Sequence, residues 1–441
     1  MTIQLPEKVK YIIDTLIAAG YDAYAVGGCV RDSILGREPD DWDITTSAMP
    51  EQVKSLFRRT IDTGIQHGTV TIMLEKEGFE VTTYRIDGEY EDSRHPKEVI
   101  FTPNLTEDLK RRDFTINAMA YNDKVGMVDE FGGIQDLERK VIRCVGNPEE
   151  RFCEDALRIM RAIRFSAQLG YSIEENTREA ITKMAATLQN ISAERIQAEL
   201  VKLVVSDHPY LLKDAYDTGV TNVIFPEFDR MMQTTQNNPH HQYTVGEHVL
   251  HAMEEVQKDK VLRLGMLFHD IGKPETKSTD KNGIDHFYRH AAVGQEITRK
   301  ILRRLKFDND TINRVTKIVL FHDYKVDLTP SGVRHAIATV GEDVFPYLFL
   351  VKRADILAQS TYQQQKKLDK LTKMQTLYEN EMEAKNCVSL KTLAVTGKDL
   401  IDAGMQPGKE LGDTLDQLLE LVIDRPEYNT KEYLINRALH Q

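Results

Sequence analysis

Asp41 and Asp43 stand one residue apart in Asp41-Trp42-Asp43-Ile44-Thr45. That spacing puts both carboxylates on one face of an extended strand. Two oxygen-rich side chains pointing one way can hold Mg2+, a hard cation that prefers carboxylates and substrate phosphates. Just before them runs Gly27-Gly28-Cys29-Val30-Arg31-Asp32. Paired glycines let a backbone approach a bound phosphate with no Cβ in the way, so Gly28 and Arg31 are read as nucleotide-binding. The chemistry this predicts is nucleotidyl transfer, with a triphosphate cradled by backbone amides, metal on the aspartates and an incoming hydroxyl as nucleophile. Glu80, in Phe79-Glu80-Val81-Thr82, is the third carboxylate of the catalytic set, brought alongside if its strand neighbours that of Asp41 and Asp43.

Three further clusters carry chemistry. In Arg111-Arg112-Asp113-Phe114-Thr115-Ile116-Asn117 the arginines supply forked donors for phosphates. Asp113 and Asn117, four apart, are expected on one side of a helix, where they can bond ribose hydroxyls. In Glu154-Asp155-Ala156-Leu157-Arg158-Ile159-Met160-Arg161, the spacing of Asp155 and Arg158 predicts a shared helical face, with Arg161 a further nucleotide contact. Cytosine and adenine each show an amine donor beside a ring-nitrogen acceptor, which an Asp and an Arg complement. Uracil and guanine reverse that pattern and leave polar groups unpaired, enough for roughly 10²–10⁴-fold rejection. The last cluster is His248, His269-Asp270, His290, His322 and Asp355. Imidazoles with carboxylates suit a divalent transition metal such as Mn2+, Ni2+, Fe2+ or Zn2+, as one ion or two.

The elements that position these groups follow from periodicity. Residues 7–19 read as an amphipathic helix, residues 23–26 as a strand, 29–35 as a short helix, 43–46 as a second strand and 50–57 as a helix. The β-branched runs 69–74 and 79–84 form a hairpin. Residues 86–104 read as a mobile polar connection, and from about 105 the pattern is helical to the end. The expected fold class is α+β, a small mixed-sheet head followed by an all-α neck, body and tail. Boundaries are expected near the polar stretch at 235 and near the Gln/Lys cluster at 361–370. Residues 396–412 read as a helix–turn–helix whose glycine-freed amides can meet phosphate.

At 441 residues the chain is long enough for three or more domains, and 41% hydrophobic residues can bury real cores. No run of about eighteen apolar residues predicts a membrane span. The first residues lack a basic region followed by an apolar stretch, so no secretory signal is expected. Four scattered cysteines with no Cys-x-x-Cys suit a reducing cytoplasm. The net charge of −12 does not support RNA binding globally. A narrow basic stripe can still bind phosphates, with Lys110-Arg111-Arg112 the best candidate.

Taken together, the Gly-Gly, Arg-Asp and Asp-x-Asp run resembles the head of the nucleotidyltransferase superfamily. The three motifs together, in order and spacing, resemble the bacterial class II tRNA nucleotidyltransferases, or CCA-adding enzymes, over residues 20–235 and a tail at 387–440. The resemblance implies metal at Asp41 and Asp43, a third acid at Glu80, a ribose-and-phosphate motif at Arg111, Arg112, Asp113 and Asn117, and a protein template for CTP then ATP at Asp155 and Arg158. It implies a 3′-hydroxyl of tRNA attacking the α-phosphate, with pyrophosphate leaving, and a loop at 86–104 tied to the switch to A. The histidine cluster resembles the HD phosphohydrolase superfamily, implying metal-activated water attacking a phosphoester. The expected domains are a head over 1–142, a neck and body over 143–236, an HD domain over 237–365 and a tRNA-binding tail over 366–441. Open alternatives are a poly(A) polymerase, an enzyme adding only CC or only A, and a hydrolase with an RNA-binding head. The oligomeric state is left open.

Overall fold

The computed structural model describes residues 2–88 and 99–440, so residues 89–98 of the 86–104 connection lie outside the described residues. The chain forms two compact units, Met1–Pro226 and Glu227–Gln441.

The first unit opens with α1 (Glu7–Ala18), which buries Val9, Ile12, Ile13 and Leu16 at helical spacing. There follow β1 (Ala23–Val26), α2 (Gly28–Ile34), β2 (Ile44–Thr46), α3 (Pro50–Leu56), β3 (Thr60–Gly64), β4 (Thr69–Leu74) and β5 (Glu77–Thr83). β6 (Arg85–Asp87) and β7 (Val99–Phe101) form a separate antiparallel pair flanking the residues not described. After α4 (Leu105–Lys110) come β8 (Ala120–Asn122) and β9 (Gly126–Val128). The head sheet has seven strands in the order β3-β4-β5-β2-β1-β8-β9. Only the β2–β5 pairing is parallel, so the sheet is mixed. Its core gathers Tyr24, Val26, Tyr84, Leu109, Ala118, Ala120 and Val145.

The chain is therefore not all-helical after residue 105. β8 and β9 are three residues each, too short to show a period, and exist because Ala120 and Tyr121 pair with the interior strand β1. The rest of this unit comprises α5 (Gly133–Arg139), β10 (Val141–Ile142), α6 (Pro148–Glu154), α7 (Leu157–Leu169), β11 (Ser172–Ile173), α8 (Glu175–Met184), α9 (Ala193–Val204), α10 (Leu212–Asp217) and α11 (Val220–Ile224). α7 packs on α9.

The second unit is helical apart from one hairpin. Its helices are α12 (Pro226–Gln233, begun by the last residue of the first unit), α13 (Val245–Glu254), α14 (Lys260–Phe268), α15 (Lys273–Thr276), α16 (His290–Arg304), α17 (Asn309–Phe321), α18 (Pro330–Val340), α19 (Phe345–Ala358), α20 (Gln364–Glu383), α21 (Gly397–Asp402), α22 (Lys409–Asp424) and α23 (Lys431–Leu439). The hairpin is β12 (Lys277–Thr279) with β13 (Asp285–Phe287). The polar stretch near 235 is stapled to it: Lys277 Nζ donates to Thr235 O at 2.7 Å, and Asn237 N donates to Asp285 Oδ2 at 2.7 Å. The Gln/Lys cluster at 361–370 enters the continuous α20, so polarity there marks a solvated helix face. The tail has its own small core of Cys387, Leu393, Val395, Leu400, Leu418, Val422, Leu434 and Ala438. No described helix is long and apolar enough to cross a membrane.

Candidate active site and a second cluster of metal-ligating side chains

Asp41 and Asp43 sit just ahead of β2, where the Asp43 carbonyl accepts from Val26 N at 3.0 Å. The acid pair thus leads into the strand and does not lie within it, as its spacing had suggested. The parallel register sets Ile44 opposite Val81. The residues one step earlier, Asp43 and Glu80, consequently start side by side. All three carboxylates are exposed. Partial desolvation and then the charges of Asp43 and Asp41 raise the Glu80 carboxyl above its ordinary value. Asp43 is raised by desolvation and by Asp41, against the pull of Arg112. Three acids that repel one another and reach solvent are a set that a divalent cation relieves, so these residues fit one.

The turn before α2 depends on Gly27. Its φ is +84°, and a Cβ there would lie 3.0 Å from Arg112 Nη1. Gly28, by contrast, opens α2 with ordinary space around it. The glycine requirement therefore falls on Gly27, one residue before the position expected from sequence. Arg112 is held by Asp108 Oδ2 at 3.6 Å, and its Nε is buried with no hydrogen-bond partner among the described residues.

Asp108 is a residue that sequence reasoning missed. It is fully buried and collects Arg111 Nε and Nη2 at 3.0 and 2.8 Å, Thr45 Oγ1 at 3.1 Å and Arg85 N at 3.3 Å. Burial opposes its charge, but Arg111 and Arg112 hold its carboxyl below the usual range. It thus ties both arginines to β2, the strand that the acid pair leads into.

Asp113 and Asn117 do meet, with Asn117 Nδ2 donating to Asp113 Oδ1 at 3.2 Å, but not on an α-helix. Asp113 is in a loop and Asn117 ends the 3-10 turn Thr115–Asn117. Asp113 faces inward: its Oδ1 also accepts from Phe114 N at 2.9 Å, and Oδ2 from Arg161 Nε at 2.7 Å. Burial opposes its charge, yet Arg161, Arg158 and Asn117 outweigh that and take the carboxyl down to about 2. Arg31 is equally committed, with Nη1 on Asn117 Oδ1 at 2.7 Å and a bidentate pair to Asp32 at 2.9 and 2.8 Å. Arg31, Arg161 and Arg164 stack on the Phe165 ring at 5.0, 5.3 and 3.9 Å. The structure therefore shows Asp113, Arg31 and Arg161 as a network that orients Asn117.

Asp155 and Arg158 do not share one helix. α6 ends at Glu154, and Asp155 turns extended with φ −143° before α7 begins. Its Oδ1 accepts from Leu157 N at 3.0 Å, so capping chemistry overrides the periodic reading. Arg158 lies in the first turn of α7 and donates to Glu154 Oε2 at 2.5 Å and Arg111 O at 3.0 Å.

In the second unit all six predicted ligands converge. His248 lies on α13, His269 closes α14, Asp270 follows it, His290 opens α16, His322 closes α17 and Asp355 lies on α19. Each ring turns Nδ1 to a backbone carbonyl: His248 to Ala358 at 3.3 Å, His269 to Met266 at 2.7 Å, His290 to Phe287 at 2.8 Å and His322 to Val319 at 2.8 Å. A carbonyl only accepts, so each Nδ1 carries hydrogen and each Nε2 points inward, free to hold a proton or a metal. His248 and His269 oppose Nε2 atoms at 3.3 Å, and His290 and His322 at 3.1 Å. Facing lone pairs repel unless a cation or proton stands between them, so the set fits a metal. Asp270 offers Oδ2 to His269 at 3.3 Å and Oδ1 to His290 and His322, each at 3.6 Å, while Asp355 Oδ1 lies 2.9 Å from His248. Burial would neutralise Asp270, but Lys273 Nζ at 2.7 Å and His269 keep it ionised. His322 and Asp355 also line a cavity of about 950 Å³ with Lys325, Lys352, Lys367 and Lys370.

A mixed sheet with an acid pair entering one strand, an acid beside it on the parallel neighbour and an arginine-backed glycine turn defines a nucleotidyltransferase head. The poly A polymerase head domain family matches residues 23–143, the RNA- and SrmB-binding site family of polymerase A matches 170–232, and tRNA nucleotidyltransferase domain 2 matches 278–438. The chain is 37% identical over 417 residues to the CCA-adding enzyme of Lactobacillus helveticus, covering 94% of this chain and 92% of that protein. It is 36% identical over 431 residues to the CCA-adding enzyme of Levilactobacillus brevis, covering 97% and 96%. The Bacillus stearothermophilus CCA-adding enzyme, crystallised in complex with CTP, is similar with a TM-score of 0.73 at 29% identity, over 99% of this chain and 98% of that one. The chain belongs to the CCA-adding enzymes, which are tRNA nucleotidyltransferases.

Proposed function

We propose that this enzyme builds C, C and A onto the 3′ end of tRNA from CTP and ATP, with Mg2+ held by Asp41 and Asp43 and Glu80 beside them. The observation that carries the metal reading is the register that sets Asp43 next to Glu80, with both carboxyls raised by partial desolvation and by the charge of neighbouring acids, Asp41 on Asp43 and Asp43 on Glu80. A bound divalent ion lowers the pKa of the attacking 3′-hydroxyl and neutralises charge on the leaving pyrophosphate. Arg112, held by Asp108 and reaching past Gly27, supplies donors for the triphosphate. Asn117, oriented by Arg31 and Asp113, meets the ribose. Asp155 accepts from the amine of cytosine or adenine, and Arg158 donates to the ring nitrogen. Its release from Glu154 accompanies nucleotide binding. Transfer is expected to stop in EDTA and to return with added Mg2+; extension of tRNA that continues at an undiminished rate in EDTA would remove metal from this account.

The second unit supports a separate reading. His248, His269, Asp270 and Asp355, with His290 and His322 across Asp270, form a transition-metal centre for hydrolysis of phosphoesters, in the manner of HD phosphohydrolases. The inward Nε2 atoms of four carbonyl-anchored imidazoles favour it. The lysine-lined cavity at its edge suits an anionic substrate.

A further inference from the structure

Asp155 carries the base choice only if its carboxylate is already oriented when a nucleotide arrives, and both of its oxygens are pinned. Oδ1 is held by Leu157 N at 3.0 Å, and Oδ2 accepts from Arg195 Nη2 at 2.7 Å. Arg195 stands in the first turn of α9, forty residues from Asp155 and outside every motif read from the sequence. One turn further along, Glu199 binds Arg164 Nε, so one face of α9 makes two ion pairs, one to the α6–α7 junction and one to α7. The Asp155–Arg195 pair is partly shielded, with side chains 18% and 22% exposed. Each carboxylate oxygen has two lone pairs, so pinning one on each oxygen fixes the plane of the group and leaves the others for a ligand amine.

We infer that Arg195 is a specificity-determining positioning residue, which holds Asp155 in the plane that reads the exocyclic amine of cytosine and adenine. Without it, Asp155 is fixed at one oxygen only and rotates about its last bond, so an amine no longer gains a well-aligned acceptor and a carbonyl meets a less defined repulsion. Removal relaxes discrimination as well as lowering the rate, whereas loss of a merely structural clamp lowers all four nucleotides alike. This rests on the template reading of Asp155, and the test separates the two.

The measurement is the ratio of kcat/KM for UTP to that for CTP on tRNA lacking its 3′ end, and for GTP to ATP on tRNA ending in CC. Arg195→Ala is expected to raise these ratios about tenfold, the worth of one charge-assisted hydrogen bond. Arg195→Lys restores part of the discrimination through a point charge at the same place. Asp155→Ala raises the ratios further. Wild-type ratios in Arg195→Ala beside relaxed ratios in Asp155→Ala overturn the role of Arg195 alone. Wild-type ratios in Asp155→Ala overturn the template reading itself. If Arg195→Ala fails to fold, Arg195→Gln, which keeps most of the length and loses the charge, supplies the same ratio.

Discussion

Asp43→Asn is expected to abolish transfer of CTP and ATP alike, by about 10³-fold, in line with losing one preorganised charge from a transfer site. The substitution keeps the side chain's shape and removes its charge. The fold survives because Asp43 holds β1 through its backbone carbonyl, 3.0 Å from Val26 N, while its exposed carboxylate supports no packing. Desolvation continues to raise the Glu80 carboxyl, but relief of repulsion brings it part of the way back, since Asp43 is the larger of the two charges acting on it. Single-turnover extension of tRNA beside a thermal melt checks both parts. Transfer within threefold of wild type, at an unchanged melting temperature, would move the chemistry away from this acid pair.

Asp270→Asn is expected to empty the second cluster of metal and to remove phosphoesterase activity, leaving nucleotide transfer in place. Among the described residues, Asp270 is the one carboxylate that faces both histidine pairs, Oδ2 toward His269 and Oδ1 toward His290 and His322. It is also the partner of the buried Lys273 at 2.7 Å. An amide brings no charge to either, and leaving the buried ammonium without its counter-ion, with Gln236 Oε1 at 2.8 Å still accepting from it, costs up to about 3–5 kcal/mol of stability. The variant should therefore melt earlier, and assays belong well below its midpoint. Metal content per chain, hydrolysis of p-nitrophenyl phosphate and tRNA extension are the three readouts. Full metal content, or transfer lost in step with hydrolysis, would contradict a self-contained metal centre in the second unit.

How far these sites could be read from sequence depended on the kind of signal each residue carries. The Asp41/Asp43 pair and Gly27-Gly28 are local patterns, but Glu80 joins them only through the parallel pairing of β2 with β5, which the hairpin of β-branched runs does not by itself imply. The six clustered histidines and aspartates of the second unit were legible by type, yet only the tertiary packing of α13, α14, α16, α17 and α19 brings them within reach of one another. Asp108 and Arg195 left no mark: a single aspartate in a short helix and an arginine in an amphipathic one have no pattern until folding surrounds them. Asp155 shows the converse error. Helical spacing put it on the same face as Arg158, but an aspartate competes for backbone donors, and its bond to Leu157 N breaks the helix there. Likewise Asp113 and Asn117 meet across a 3-10 turn, through a contact that α-helical spacing described for the wrong backbone. The three-residue strands β8 and β9 were invisible because their stability comes from the sheet they complete.

The most direct test of the account is to give the enzyme tRNA lacking its 3′ end with all four nucleoside triphosphates together and to sequence the product ends. Ends that read C, C, A and extend no further are the predicted result. Runs of A, or U and G entering at rates comparable to C and A, would contradict it.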